Sequence, residues 1–195
     1  YVQLGQSDEK AANAMLVKLW QNNETNSAVK SWARLASYMA SNNFDAEHPE
    51  KKQAFLQLML KKAETTENSD ALAEIYGTEI HALLFERKIN DAIIKADKLQ
   101  FYLERASDPR IRYFYNNLLG YLFRQDSQYS RALEHYIEAL DAVAETDNEA
   151  TVRRRTVLNA AIAHVHAELK NWPQAKEQAK ITLDDAIKYG FKSFA

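Results

Sequence analysis

The 195-residue sequence carries 25 basic and 27 acidic side chains, a formal charge of −2. That balance gives no sign of a nucleic-acid or anionic-membrane partner, and no apolar run nears the ~20 residues that span a bilayer. The absence of cysteine excludes disulfides, thiol catalysis and Cys-ligated zinc.

With only 4 Gly and 3 Pro, and Ala, Leu, Glu, Lys and Gln abundant, the composition favours helices over a turn-rich β fold. A first helix is predicted over 7–21, with Ala12, Met15, Leu16, Leu19 and Trp20 at helical spacing. After a polar break at 22–26, a second carries Val29, Trp32, Leu35, Ala36 and Met39 and ends near Asn42-Asn43. Pro49 fits the first turn of a third, which buries Phe55, Leu56, Met59 and Leu60 and stops near Thr65. A fourth runs from about Asp70 to Glu86, and Asn90 is the predicted cap of a fifth ending near Arg105. Asp108-Pro109 is a strong start for a sixth, since a capping carboxylate precedes a proline whose missing N–H costs nothing there. The sixth and seventh helices fill 108–146. Thr146 and Glu149 have capping-box spacing for an eighth, and Pro173 opens a ninth that closes near Tyr189-Gly190. Tyr1 is not an initiator and no leader-like segment follows it. Residues 191–195 read as the start of another helix, so the chain is expected to be a piece cut from a longer protein.

The stretch 113–146 has an order of its own. Leu119-Gly120 is followed by Phe123, then by Tyr129, Ala132, Tyr136 and Ala139. Gly120 and Ala132 are small where paired helices approach, and Phe123 and Tyr136 fill the space between them. This arrangement resembles a tetratricopeptide (TPR) repeat, W-x2-L-G-x2-Y followed by A-x3-F and a proline, with Asn116 in the Trp place and Ala144 in the proline place. Neighbouring segments align on it. Ala92, Ala96 and Leu99 match Ala132, Tyr136 and Ala139, as do Ala175, Ala179 and Leu183; Trp172 matches Tyr129. Asn159, Ile162, Ala163 and His166 match Asn116, Leu119, Gly120 and Phe123, while Ile80 and Leu83 match Gly120 and Phe123 and Glu79 departs from the Leu place. The marker alanines are 40 and 43 residues apart, longer than the ~34 of a strict TPR. The resemblance implies an all-α fold of antiparallel helix pairs, stacked as a TPR-like right-handed superhelix (α-solenoid) of about nine helices. Residues 1–68 would form a divergent cap or degenerate repeat, and 69–195 the repeats at about 70–106, 108–146 and 148–190, all in one structural unit.

No nucleophile, phosphate loop or dinucleotide fingerprint is present, and no cofactor is expected. His164 and His166 are two apart, so they point to different faces of a helix and do not make a metal pair. His166 is expected in the inter-helix core and His135 at the surface. Arg153-Arg154-Arg155 reads as a solvated face pairing with Glu149 and other acids, with an anion or acidic-peptide contact as its alternative.

In TPR arrays the first helix of each pair lines a concave groove. On the central repeat this places Asn117, Tyr121 and Arg124 in the groove, and the equivalent positions include Gly77, His81, Ala160 and His164. His81, Tyr121 and His164 share one register across three repeats, a polar row able to hydrogen-bond and stack on an extended peptide, or an ordinary set of inner-face polar residues. The lysines of a carboxylate-clamp TPR are missing. The resemblance therefore implies a non-catalytic module that binds a protein or peptide, with no direct nucleic-acid contact and no membrane insertion. Arrays of this long-repeat kind precede output domains such as GGDEF cyclases in bacterial signalling proteins, and a sensory or regulatory role follows from that likeness. The compartment stays open: periplasmic for a membrane-anchored sensor, cytoplasmic otherwise. Two alternatives stand beside it: a scaffold or homodimerisation module using Tyr1, Phe191 and Phe194 as exposed aromatics, and a helical enzyme with an unrecognised site.

Overall fold

A computed structural model describes residues 49–65, 67–143 and 148–191, together with Ala33, Arg34 and Ser37. Among the described residues all regular structure is helical, with no strand. Seven helices run in order: α1 (Pro49–Thr65), α2 (Ser69–Phe85), α3 (Ile89–Leu103), α4 (Pro109–Gln125), α5 (Tyr129–Asp141), α6 (Glu149–Glu168) and α7 (Trp172–Tyr189). They correspond to the third to ninth of the nine expected. The first expected helix lies outside the described residues, as do Ala144, the side chain of Phe55 and the second helix apart from Ala33, Arg34 and Ser37, which are helical.

The helices that open a pair, α2, α4 and α6, are capped by side chains. Asn68 accepts the Ala71 N–H at 2.9 Å, Asp108 accepts the Arg110 N–H at 2.8 Å with Pro109 beside it, and Asn148 accepts the Thr151 N–H at 3.0 Å. Asn148 is thus the cap that the spacing had assigned to Thr146. The helices that close a pair, α3, α5 and α7, have no side-chain cap, and Asn90, expected to cap α3, lies inside it. The turn does the work instead. In each pair the first helix ends in a left-handed residue: Arg87 (φ 59°), Ser127 (φ 59°) and Lys170 (φ 58°). The next residue donates its N–H back five positions: Lys88 to Leu83, Gln128 to Phe123 and Asn171 to His166, each at 2.8 Å. This is the Schellman arrangement. The same three residues then accept, through their carbonyls, the N–H of Ala92, Ala132 and Ala175. One residue closes one helix and opens the next, so no cap side chain is required.

Three-residue turns fold α2 on α3, α4 on α5 and α6 on α7, and these pairs make the most extensive contacts in the molecule. Successive pairs meet through α3 with α4 and α5 with α6, and α2 also touches α4. A continuous core results. Ala92, Ala96, Leu99, Leu119, Phe123, Ala132, Tyr136 and Ala139 are all buried in it, as the alignment required. Two glycines permit the close approaches. A Cβ on Gly120 would stand 2.6 Å from Cδ1 of Tyr136 on the partner helix, and one on Gly77 would overlap the edge of the Tyr115 ring of the following pair, at Cδ1 and Cε1. Gly77, expected at a groove position, is therefore a packing position. Glu79, the departure from the pattern, is buried and satisfied: Lys95 Nζ lies 2.8 Å and Gln57 Nε2 3.3 Å from its carboxylate. Asp70 ties one pair to the next by accepting the Ser107 N–H (2.8 Å), the Ser107 hydroxyl (2.9 Å) and the Asp108 N–H (3.1 Å).

The last pair departs from the alignment. Thr182 and Ala186 are its buried residues on α7, whereas Ala179 is exposed and Leu183 is 48% exposed. Thr182 stands 43 residues after Ala139, as Ala175 stands 43 after Ala132, and it takes the inward place assigned to Leu183. Trp172 is 63% exposed and does not pack as Tyr129 does. Phe191, expected at the surface, is buried with Val152 and Ala186 in a small second core, stacked on Tyr189 at 5.8 Å. Gly190 ends α7 with φ 69°.

Candidate ligand groove

The first helices of the three pairs present one stripe each to a shared open groove of about 1360 Å³. From α2 come Glu74, Thr78, His81 and Phe85; from α4, Arg110, Phe114, Asn117, Tyr121 and Arg124; from α6, Arg154, Val157 and Ala161. The spacing of three or four residues is that of a single helix face. Ser37 and Arg34 also line it, and Arg87 contributes from the α2–α3 turn.

Four of the five residues selected from the sequence, His81, Asn117, Tyr121 and Arg124, line this groove. His164 does not line it but meets it through Arg124, whose Nη1 is 3.3 Å from His164 Nδ1. The Arg124 guanidinium also stands over the Tyr121 ring, 5.4 Å from its centre. The expected His-Tyr-His row is therefore bridged by Arg124 between its second and third rungs. His164 is drawn outward as well, to Glu168 Oε1 at 3.9 Å.

The groove wall holds a buried polar cluster that the sequence did not signal. The Glu74 carboxylate takes a short charge-assisted bond of 2.5 Å from Arg110 and one of 3.1 Å from the Tyr115 hydroxyl. The Glu74 carbonyl accepts from the hydroxyls of Thr78 (2.7 Å), Tyr115 (3.2 Å) and Ser37 (3.2 Å). Burial, then the Glu74 charge, pushes the Tyr115 hydroxyl well above its ordinary range and keeps it a donor. The same residue whose ring needs Gly77 bare thus holds Glu74 in place. Among the described residues Glu74 is the single acid in the groove lining, against five arginines: Arg34, Arg87, Arg110, Arg124 and Arg154. Arg154 departs from its expected acidic pairing. It lies over the Tyr113 ring at 5.3 Å, and Arg153 lies over Phe191 at 5.8 Å. The Nε atoms of Arg110 and Arg124 are buried without an acceptor.

Histidine burial is opposite to expectation at one position. His135 is buried on α5, stacked on Phe123 at 5.3 Å, with Nδ1 3.1 Å from Asn116 Oδ1 and 3.5 Å from Glu138 Oε2. Asn116 stands in the Trp place of the repeat, and its amide and His135 complete each other as hydrogen-bond partners there. Burial, with the Arg131 charge second, lowers the His135 pKa to about 4. It is neutral at pH 7, with the proton on Nδ1 where the Asn116 oxygen accepts it. His166 is half-buried. Among the described residues, no group of three or more His, Cys, Asp or Glu is placed to hold a metal, and no helix is long and apolar enough to cross a membrane.

No protein-family model matches the chain, and no curated protein matches it significantly.

Proposed function

We propose that the chain is a non-catalytic, TPR-like array of helix pairs whose first helices form a groove for a protein or peptide segment. The observation that carries the reading is the convergence of His81, Asn117, Tyr121 and Arg124 on one open groove built from the same stripe of α2, α4 and α6. A groove that crosses three consecutive pairs matches an extended ligand better than a compact one. It also provides a means of regulation: stacked repeats flex at their interfaces, and a ligand touching several pairs favours one curvature over others. The long-repeat likeness supports a sensory or regulatory place in a larger bacterial signalling protein. Selection of peptides from a random display library tests the reading. Enriched peptides should lose binding to Asn117→Ala combined with Tyr121→Ala, with the fold intact by circular dichroism. Enrichment of peptides indifferent to these substitutions would contradict it.

A second reading, a scaffold or dimerisation module, is favoured by one surface. Ala179, Leu183 and Ile187 lie at intervals of four on the exposed side of α7, Leu183 48% and Ile187 72% exposed. Light scattering over a concentration series separates the two: a monomer at all concentrations removes the dimer.

A further inference from the structure

We propose that the groove takes an acidic peptide segment, whose carboxylates bind the arginines of its wall and whose apolar side chains seat on Phe85 and Phe114. This rests on the peptide-groove reading above and names the class of peptide.

The sign of the lining is the first argument. The chain as a whole carries a formal charge of −2, yet among the described residues five arginines and one acid line the groove. That acid, Glu74, is already neutralised by Arg110 and held by Tyr115, so it presents little charge to a ligand. Arg87, Arg124 and Arg154 have no carboxylate within ion-pair distance among the described residues. A concave wall of one sign concentrates its field and selects the opposite charge.

Unmet donors are the second argument. The guanidinium groups of Arg87 and Arg154 are exposed on the groove wall and make no ion pair among the described residues. Guanidinium forks match carboxylates in two parallel hydrogen bonds, so ligand carboxylates can meet them from the open side. The third argument is apolar surface beside the charge. Phe85 is 87% and Phe114 53% exposed, and both line the groove. Aromatic anchors among cations suit a peptide that alternates acidic and apolar side chains. The arginines come from three helices and a turn, which favours several carboxylates spaced along a chain over one compact anion.

The test uses the full 195-residue chain and fluorescein-labelled peptides of about twelve residues: a Glu/Leu peptide and its Gln/Leu and Lys/Leu counterparts. Anisotropy should show saturable binding of the Glu/Leu peptide, about tenfold weaker binding of the Gln/Leu form and none of the Lys/Leu form. Affinity should fall several-fold as salt rises from about 50 to 300 mM, because screening shortens the reach of the field. Arg87→Gln with Arg154→Gln alters exposed side chains, so melting should be unchanged while affinity falls about tenfold. Arg105→Gln, outside the groove, should leave affinity unaltered. Equal binding of the Glu/Leu and Gln/Leu peptides that still depends on Asn117 and Tyr121 would overturn the acidic specificity and leave the peptide groove standing. Binding of no peptide would overturn both. Displacement of the Glu/Leu peptide by millimolar inorganic phosphate, or arginine-dependent binding to phosphatidylserine vesicles without peptide binding, would also overturn the proposal.

Discussion

Gly120→Ala should destabilise the protein, against the usual rule for a glycine inside a helix. Alanine is the better helix former by about 1 kcal/mol. Here its Cβ would stand 2.6, 2.7 and 2.9 Å from Cδ1, Cε1 and Cγ of Tyr136. Those separations are below any ordinary carbon–carbon contact, so ring or helix must move. Tyr136 is almost fully buried and packed in the main core, and overpacking such a site costs about 1–3 kcal/mol. The propensity gain offsets part of that, leaving a net loss of up to about 2 kcal/mol. A double-mutant cycle isolates the cause. Tyr136→Val removes Cδ1 and Cε1, the two nearest atoms, and in that background Gly120→Ala should become neutral or stabilising, a coupling of about 1–2 kcal/mol. Urea unfolding followed at 222 nm gives both values, provided the slope is unchanged. If Gly120→Ala raises the midpoint equally in both backgrounds, the close approach of α4 and α5 is wrong, and the equivalence of Gly120 with the small position of a TPR repeat falls with it.

Other consequences follow from the same packing. Gly77→Ala should cost more than Gly120→Ala, because displacing the Tyr115 ring also breaks its bonds to Glu74; equal effects in urea would contradict this. Ser127→Gly should stabilise by up to about 1 kcal/mol, since a left-handed backbone strains a side chain and glycine adopts it freely, whereas Ser127→Val should destabilise. His135, held near pKa 4 against an ordinary 6.5, is neutral in both folded and unfolded chains above pH 7. As pH falls below 6.5 the unfolded chain takes up the proton first, so stability is lost between about pH 6.5 and 4, by about 3 kcal/mol in total. His135→Gln should flatten that part of the stability–pH curve, and an unchanged slope would refute the assignment.

Much of the helical frame could be read from particular residues. Asp108-Pro109 marked a helix start because capping and proline geometry are local, and Ala132, Tyr136 and Gly120 marked contact because size at fixed spacing is local too. The turns were hidden. Arg87, Ser127 and Lys170 hold left-handed conformations that a reader seeks at Gly or Asn, and only their intervals of 40 and 43 residues, the same as those of the marker alanines, betray them. His135 was misplaced because its burial depends on Asn116 from the facing helix. The α7 register slipped because Leu183 lies 44 residues after Ala139, one more than the 43 that relate Ala132 to Ala175, so the matching residue is Thr182. For the groove, projecting the α4 stripe found Asn117, Tyr121 and Arg124. The same projection, carried to Arg110 and Phe114, reaches Glu74 and Val157, whereas Arg154 falls on the place of the buried Ile111 and is not reached. The groove's charge was not legible, since arginines scattered over 120 residues converge only once three pairs are stacked.

The most direct test of the account is a backbone amide chemical-shift map during titration with the Glu/Leu peptide. Perturbations should fall on the groove stripe of α2, α4 and α6, centred on His81, Tyr121 and Arg154. Perturbations confined to the outer faces of α3 and α5, around Ile94, Phe101 and Ile137, or to the exposed side of α7, would contradict it.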